Sequence, residues 1–355
     1  VRPTNAPPAV PGPHIGYTTK DNPMTQVLDL KPIDADTEEK LSGAIAERDR
    51  IREVVAKAVE DGLTNIWFVG AGGSLICSYP AHYVLQQHAS VPTFQLQSDE
   101  LNCSIPKLMG KGSLVVLASY TGKTKETVEA AKTASGTGAT VIAGAKEGSP
   151  LAEAVSIAFS GKSDIFELLV ALAVLEATGA DLPWDEIETG LAALPAAVKA
   201  AVEEADADLA SIAEDFKDDP VTYVLGSGPS YGWAYGMAMC FLQEMQWKHA
   251  AGFNSGEFFQ GAFEVIDNDS AVILWLGEDA SRPMGERAQA FLKTYAARAR
   301  TIDVAALELP GVPASVRPIV SPLVVGALAN RLAQRYEHTR NHSLENRHYM
   351  FKVDY

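Results

Sequence analysis

One pattern occurs twice in this chain and restricts its fold more than any other. Residues Ile66-Trp67-Phe68-Val69-Gly70-Ala71-Gly72-Gly73-Ser74 and Thr222-Tyr223-Val224-Leu225-Gly226-Ser227-Gly228-Pro229-Ser230 each run from a short apolar stretch into Gly-[Ala/Ser]-Gly-x-Ser. The apolar stretch reads as a buried strand and the glycines as a tight turn into a helix. Further strands are expected at 93–96, 114–118, 139–143 and 271–276. Helices are expected at 36–60, at 75–88, before residue 134, and as several segments over 162–213 that link two halves. Strands alternating with helices imply right-handed crossovers, so the expected class is α/β, with two doubly wound parallel-sheet subdomains in one chain. At 355 residues the chain is long enough for a doubled fold with a full core in each half.

The stretch with the most chemistry follows the strand at 114–118. Ser119, Tyr120, Thr121, Gly122, Lys123 and Thr124 lead directly into a helix-forming run. The first-turn N–H groups of a helix have no intrahelical partner, and the helix dipole adds positive potential there. Hydroxyls from Ser119, Thr121 and Thr124, with Gly122 letting the backbone come close, would make an anion site. The other reading is an ordinary cap at a strand-to-helix turn, since Ser and Thr are favoured caps in any case. In a doubly wound sheet ligands bind beyond the carboxyl ends of the strands, where Gly72, Ser74, Ser119 and Thr124 fall, and this favours the ligand reading. In the second half the run at 271–276 enters Gly277, Glu278 and Asp279, and carboxylates repel phosphate. One phosphate site per chain is therefore expected.

Composition narrows the function. Acidic residues outnumber basic ones 45 to 29 with no basic block, which argues against a nucleic-acid partner. The three cysteines, Cys77, Cys103 and Cys240, are odd in number and widely spaced, as expected of reduced cytoplasmic thiols, and no Cys/His spacing suggests a metal. The most apolar helical stretch, 165–177, is too short to span a bilayer, so no membrane partner is expected. The proline-rich start does not read as a secretory signal.

Together the glycine turn, the segment Ser98-Asp99-Glu100 and the loop 119–124 resemble the sugar isomerase (SIS) family in its doubled, flavodoxin-like form. Within it, Leu242-Gln243-Glu244-Met245-Gln246-Trp247-Lys248-His249, Ser255-Gly256-Glu257-Phe258-Phe259 and the tail Glu345-Asn346-Arg347-His348-Tyr349 resemble fructosamine-6-phosphate deglycases. Those are relatives of the isomerase domain of glucosamine-6-phosphate synthase. Pro3, Pro7, Pro8, Pro11 and Pro13 break any helix, so an extended arm is expected over 1–34; the resemblance implies SIS domains over 35–200 and 201–338 and a tail over 339–355 that closes on the site. It places phosphate or substrate binding on Gly72, Ser74, Ser119, Thr121, Gly122 and Thr124, with Glu257, Arg347 and Tyr349 as further substrate contacts. Glu244 would be the catalytic base, with His249 and Gln260 as further catalytic positions.

The implied activity is phosphosugar isomerase chemistry on a phosphorylated amino or ketoamine sugar by a homodimer, with no cofactor required. The residues leave other readings open: Glu244 as a paired helix carboxylate, His249 as a packed ring, the tail as a docked terminus. Where the family has His-Gly-Pro, this chain has Gln260-Gly261-Ala262, and an amide cannot deliver a proton near neutral pH. A sugar-phosphate sensor without chemistry and an aldose–ketose isomerase therefore remain as alternatives to a deglycase.

Overall fold

The computed structural model describes residues 28–33, 36–161, 163–350 and 352–353. The expected arm over 1–27 and the final Asp354 and Tyr355 lie outside the described residues. Two parallel sheets form the frame. In the first, β1 (Asn65–Gly70), β2 (Thr93–Gln97), β3 (Ser113–Ser119), β4 (Thr140–Ala145) and β5 (Ile157–Phe159) take the order β2-β1-β3-β4-β5. In the second, β6 (Val221–Gly226), β7 (His249–Asn254), β8 (Ala271–Leu276) and β9 (Arg300–Asp303) take the order β7-β6-β8-β9. Each sheet therefore reverses its strand order beside a glycine-turn strand, between β1 and β3 and between β6 and β8. Crevices for ligands open at such points.

The helices are α1 (Asp36–Ala46), α2 (Arg48–Glu60), α3 (Gly73–Cys77), α4 (Tyr79–His88), α5 (Ser98–Cys103), α6 (Lys125–Gly136) and α7 (Pro150–Ala154) in the first part. They continue as α8 (Ser163–Ala177), α9 (Trp184–Phe216), α10 (Tyr231–Gly236), α11 (Arg282–Tyr295) and α12 (Arg317–Arg340). The single helix expected over 36–60 is two helices that break at Glu47. The one expected over 75–88 breaks at Ser78, where Pro80 stands in the first turn of α4.

Strands covered on both faces read as unbroken apolar runs, and every residue of β3 is buried. Alternate side chains go to different cores. Ile66, Phe68, Leu114, Val116 and Ile142 share one cluster with Val224, Ile273 and Trp275 of the second sheet, joined through α8, α9 and α12. Trp67, Val69, Val115 and Leu117 face α6 in an outer cluster, and Leu225, Val272 and Leu274 face Leu292 and Phe258 in another. The two sheets are thus held by one shared interior. Asp206 of α9 clamps α12 by accepting from Arg331 at 2.7 Å and Arg335 at 2.8 Å. Burial works against that carboxylate, but the two guanidiniums outweigh it and hold it down to about 2.

Candidate active site

Beyond β3 the chain turns through Tyr120 and Thr121 and is reversed at Gly122, whose φ of 65° lies in the left-handed region. The Gly122 N–H donates to the Ser119 carbonyl at 3.0 Å and to Ser119 Oγ at 3.1 Å. Ser119 Oγ and Thr124 Oγ1 stand 3.2 Å apart, and Thr121 Oγ1 accepts from the Lys123 N–H at 3.3 Å. Thr124 occupies the N-cap position of α6, yet its side chain makes no capping bond, because it faces Ser119 instead. The first turn of α6 is therefore left uncapped beside a ring of hydroxyls, which is the arrangement an oxyanion fills. Gly72, with φ 55°, and Ser74 lie on the glycine turn after β1, the strand paired directly with β3. Ser98 is buried with its Oγ 3.0 Å from Thr127 Oγ1, so it fixes α5 against α6.

The second half has the same crevice but fills it from within. Asp279 is 7% exposed, and its Oδ1 accepts from the Ser281 N–H at 2.8 Å. A Cβ added at Gly228, whose φ is 50°, would lie 2.6 Å from that same oxygen, so the carboxylate packs directly on the second glycine turn. Glu278 is occupied by Arg317 at 2.7 and 2.8 Å. A carboxylate thus takes the place a ligand anion would need.

Glu244 lies near the end of a π-helical stretch, Met237–Met245, which continues α10. Its Oε1 is 2.8 Å from Arg347 Nη2 in the C-terminal tail, and Arg347 Nη1 also donates to the carbonyls of Leu344 and Asn346 at 2.7 and 2.8 Å. Burial pushes the Glu244 carboxyl above its usual range, while the charge and hydrogen bond of Arg347 pull the other way. One turn earlier the Cys240 thiol is pushed up to about 12, mainly by burial and further by the charge of Glu244. Met245 and Tyr120 line one cleft of about 410 Å³, with Ala327, Asn330, Arg331 and Gln334 of α12, and Lys40 and Lys199, also around it. Tyr120 of the hydroxyl loop and Met245, the residue after Glu244, thus border the same space. A partly buried carboxylate with a raised pKa, one residue from a cleft that the hydroxyl loop borders, has the chemistry of a proton-transfer group.

Other expected residues fall elsewhere. Glu244 precedes the amino end of β7, whereas Glu257 and Gln260 are exposed on a 3-10 turn beyond its carboxyl end. The strand spans about 16 Å, so a single chain does not bring Gln260 to Glu244. His249 is exposed at the amino end of β7, opposite Val221, and its ring makes no hydrogen bond among the described residues. Tyr349 is exposed and stands against His348. Trp233 and Met237 are buried in the shared core, with Met239 and Phe241 packed against it. The π-helical stretch, Cys240 and the cleft contributions of α1, α9 and α12 had no sequence signal, since they arise from tertiary placement.

The SIS domain model matches residues 64–174. The chain is 32% identical over 306 residues to the fructosamine deglycase FrlB of Bacillus subtilis (strain 168), covering 82% of this chain and 93% of that protein. It is 25% identical over 310 residues to the fructoselysine 6-phosphate deglycase of Escherichia coli (strain K12), covering 84% and 89%. Among solved structures, a Bacillus subtilis protein assigned provisionally as a phosphosugar isomerase superposes with a TM-score of 0.82 at 31% identity, covering 88% of this chain and 100% of that one. The C-terminal domain of glucosamine-fructose-6-phosphate aminotransferase from Francisella tularensis shares the fold, with a TM-score of 0.69 at 19% identity, covering 85% and 94%.

Proposed function

The chain belongs to the SIS domain family and is an enzyme of the phosphosugar isomerase type, and from that membership we propose that it removes the amine from a ketoamine (fructosamine-type) 6-phosphate. The observation that carries the proposal is Glu244, a partly buried carboxylate with a raised pKa, next to Met245, which shares a cleft with Tyr120 of the hydroxyl loop. Ser119, Thr121, Thr124 and the open first turn of α6 hold the phosphate. The sugar then reaches across the cleft toward Glu244.

In the open-chain substrate C1 carries the amine and two hydrogens, and C2 is a carbonyl. Glu244 takes one proton from C1, the electron pair forms a C1–C2 double bond, and the C2 oxygen gains a proton to give an enaminol. Collapse of that enaminol, with Glu244 returning its proton to C2, leaves C1 doubly bonded to nitrogen. Water adds to C1, the C–N bond breaks, and the amine leaves an aldose phosphate behind. Burial raises the Glu244 carboxyl and so strengthens it as a base, while Arg347 favours its ionised form.

Gln260 cannot act as an acid, so this reading has the substrate enter with its ring already open, or has an imidazole elsewhere supply the proton. We further assign the protein as a cytoplasmic homodimer. Val265, Met284 and Tyr295, in the same half of the chain as the Gln260 turn, are exposed apolar side chains that a second copy would cover. The test is to incubate the protein with ketoamine 6-phosphates carrying different amines and to measure free amine. Release is expected. Tight binding of all of them with no release would contradict the deglycase and leave a sugar-phosphate sensor.

A further inference from the structure

The segments 244–247 and 347–349, which carry the Glu244–Arg347 pair, also carry aromatic rings that the proton transfer does not use. Trp247 has a φ of 52°, a conformation that L side chains rarely adopt, and it remains 41% exposed. Its neighbours hold it there. Gln246 is buried, donates from Nε2 to the His342 carbonyl at 2.7 Å, and accepts from Arg340. Lys248 donates from its backbone N–H to Leu242 and from Nζ to the Lys217 and Asp219 carbonyls. Strain kept in place by fixed anchors on both sides is common at ligand sites.

The ring of His348 lies 3.5 Å from that of Trp247 at an interplanar angle of 30°, and His342 meets it edge-on at 4.6 Å. Tyr349 stands 5.8 Å from His348 and is 71% exposed. The Nε2 atom of His342 is buried with no partner among the described residues. This makes a partly exposed aromatic cluster, in which Trp247 and Tyr349 keep exposed surface, three residues past the base and one residue past its arginine.

We propose that Trp247, His348 and Tyr349 form the subsite for the amine half of the substrate and select amines with a flat aromatic body. The inference rests on the deglycase reading, because it uses the position of the reacting atom. The amine is bonded to C1, whose proton Glu244 removes, so its body must lie beside Glu244 and away from the phosphate seat across the cleft. A π surface attracts a flat group by stacking. Arg340, Arg347 and Lys352 crowd the same segments, so an amine carrying a second cation is disfavoured by charge repulsion.

The test uses hexitol 6-phosphates with a benzylamino or a methylamino group at C1, in which C2 is reduced to an alcohol and no reaction can occur. Calorimetry on the full chain should show the benzyl compound binding about tenfold more tightly, as stacking on an aromatic side chain provides. Trp247→Ala should bring that ratio close to one, and Trp247→Phe should retain part of it. Because the ratio is taken within one protein, a general loss of folding does not imitate the result. Equal affinities in the unmodified protein, an unchanged ratio in Trp247→Ala, or no binding of either compound would overturn the proposal. A preserved ratio without amine release from any ketoamine phosphate would contradict the deglycase reading alone.

Discussion

Replacing Gly122 by alanine tests whether the phosphate seat depends on the local packing of its loop. Two costs follow from the structure. The residue has φ 65°, where an L side chain is disfavoured by about 1–2 kcal/mol. The new Cβ would also lie 2.0 Å from Ser149 Oγ and 2.4 Å from Ser149 Cβ, and relief of such overpacking costs about 1–3 kcal/mol. The sum is about 2–5 kcal/mol of stability, and the loop can recover part of it only by moving the Gly122 N–H off Ser119. Affinity for a hexose 6-phosphate should then fall as well. Ser149→Gly removes the clash but not the backbone cost, and as a cap of α7 it should lose only a few tenths of a kcal/mol, since glycine caps almost as well as serine. In that background Gly122→Ala should cost only about 1–2 kcal/mol. Urea unfolding of the four proteins measures the coupling, and calorimetry measures the affinity. Additive stabilities, or full sugar-phosphate affinity in Gly122→Ala, would refute the reasoning.

Three further outcomes are expected. Ser119→Ala with Thr124→Ala should weaken hexose 6-phosphate binding by about 2–4 kcal/mol, since each donor lost to a charged group costs about 1.5–3 kcal/mol and water compensates in part; calorimetry showing unchanged affinity would rule the seat out. Arg347→Met removes a group that opposes burial at Glu244, so the carboxyl should rise further. The base works ionised, so the acid limb of kcat/KM against pH should move to higher pH, and an unmoved limb would contradict the pairing. Glu167 is 1% exposed, and burial, then the charge of Asp164, hold its carboxyl well above the usual range. A raised folded pKa means that its stability contribution is complete below the unfolded pKa and lost as pH rises through the folded one. Glu167→Gln should therefore flatten the fall of urea midpoints with rising pH, whereas parallel curves for the two proteins would contradict it.

The strands visible in the sequence were those whose both-face burial leaves an unbroken apolar run, as in 66–69 and 114–118. β7 and β9 were not visible. His249-Ala250-Ala251-Gly252-Phe253-Asn254 has little β preference, and Arg300–Asp303 is a short charged edge held by its neighbour β8. α12 was obscured by Pro318, which stands in its first turn where proline is tolerated, and by Pro322, which lies inside the helix. The hydroxyl loop was legible because its chemistry is local. Glu244 was found only by resemblance, since its pairing with Arg347 joins residues a hundred positions apart, and the length of β7 between it and Gln260 became apparent only in three dimensions.

The central claim is that Glu244 carries the proton between C1 and C2. It is tested most directly by incubating a ketoamine 6-phosphate in D2O with the unmodified protein and with Glu244→Gln, following deuterium in the sugar by NMR together with amine release. The proton that Glu244 takes from C1 exchanges with solvent before one is returned, so the unmodified protein should place deuterium at C2 of the aldose phosphate as amine appears. Glu244→Gln keeps the shape but removes the base, and it should lose about 10²- to 10⁴-fold in both rates while hexose 6-phosphate affinity changes little. Deuterium incorporation at the normal rate in Glu244→Gln would contradict the account.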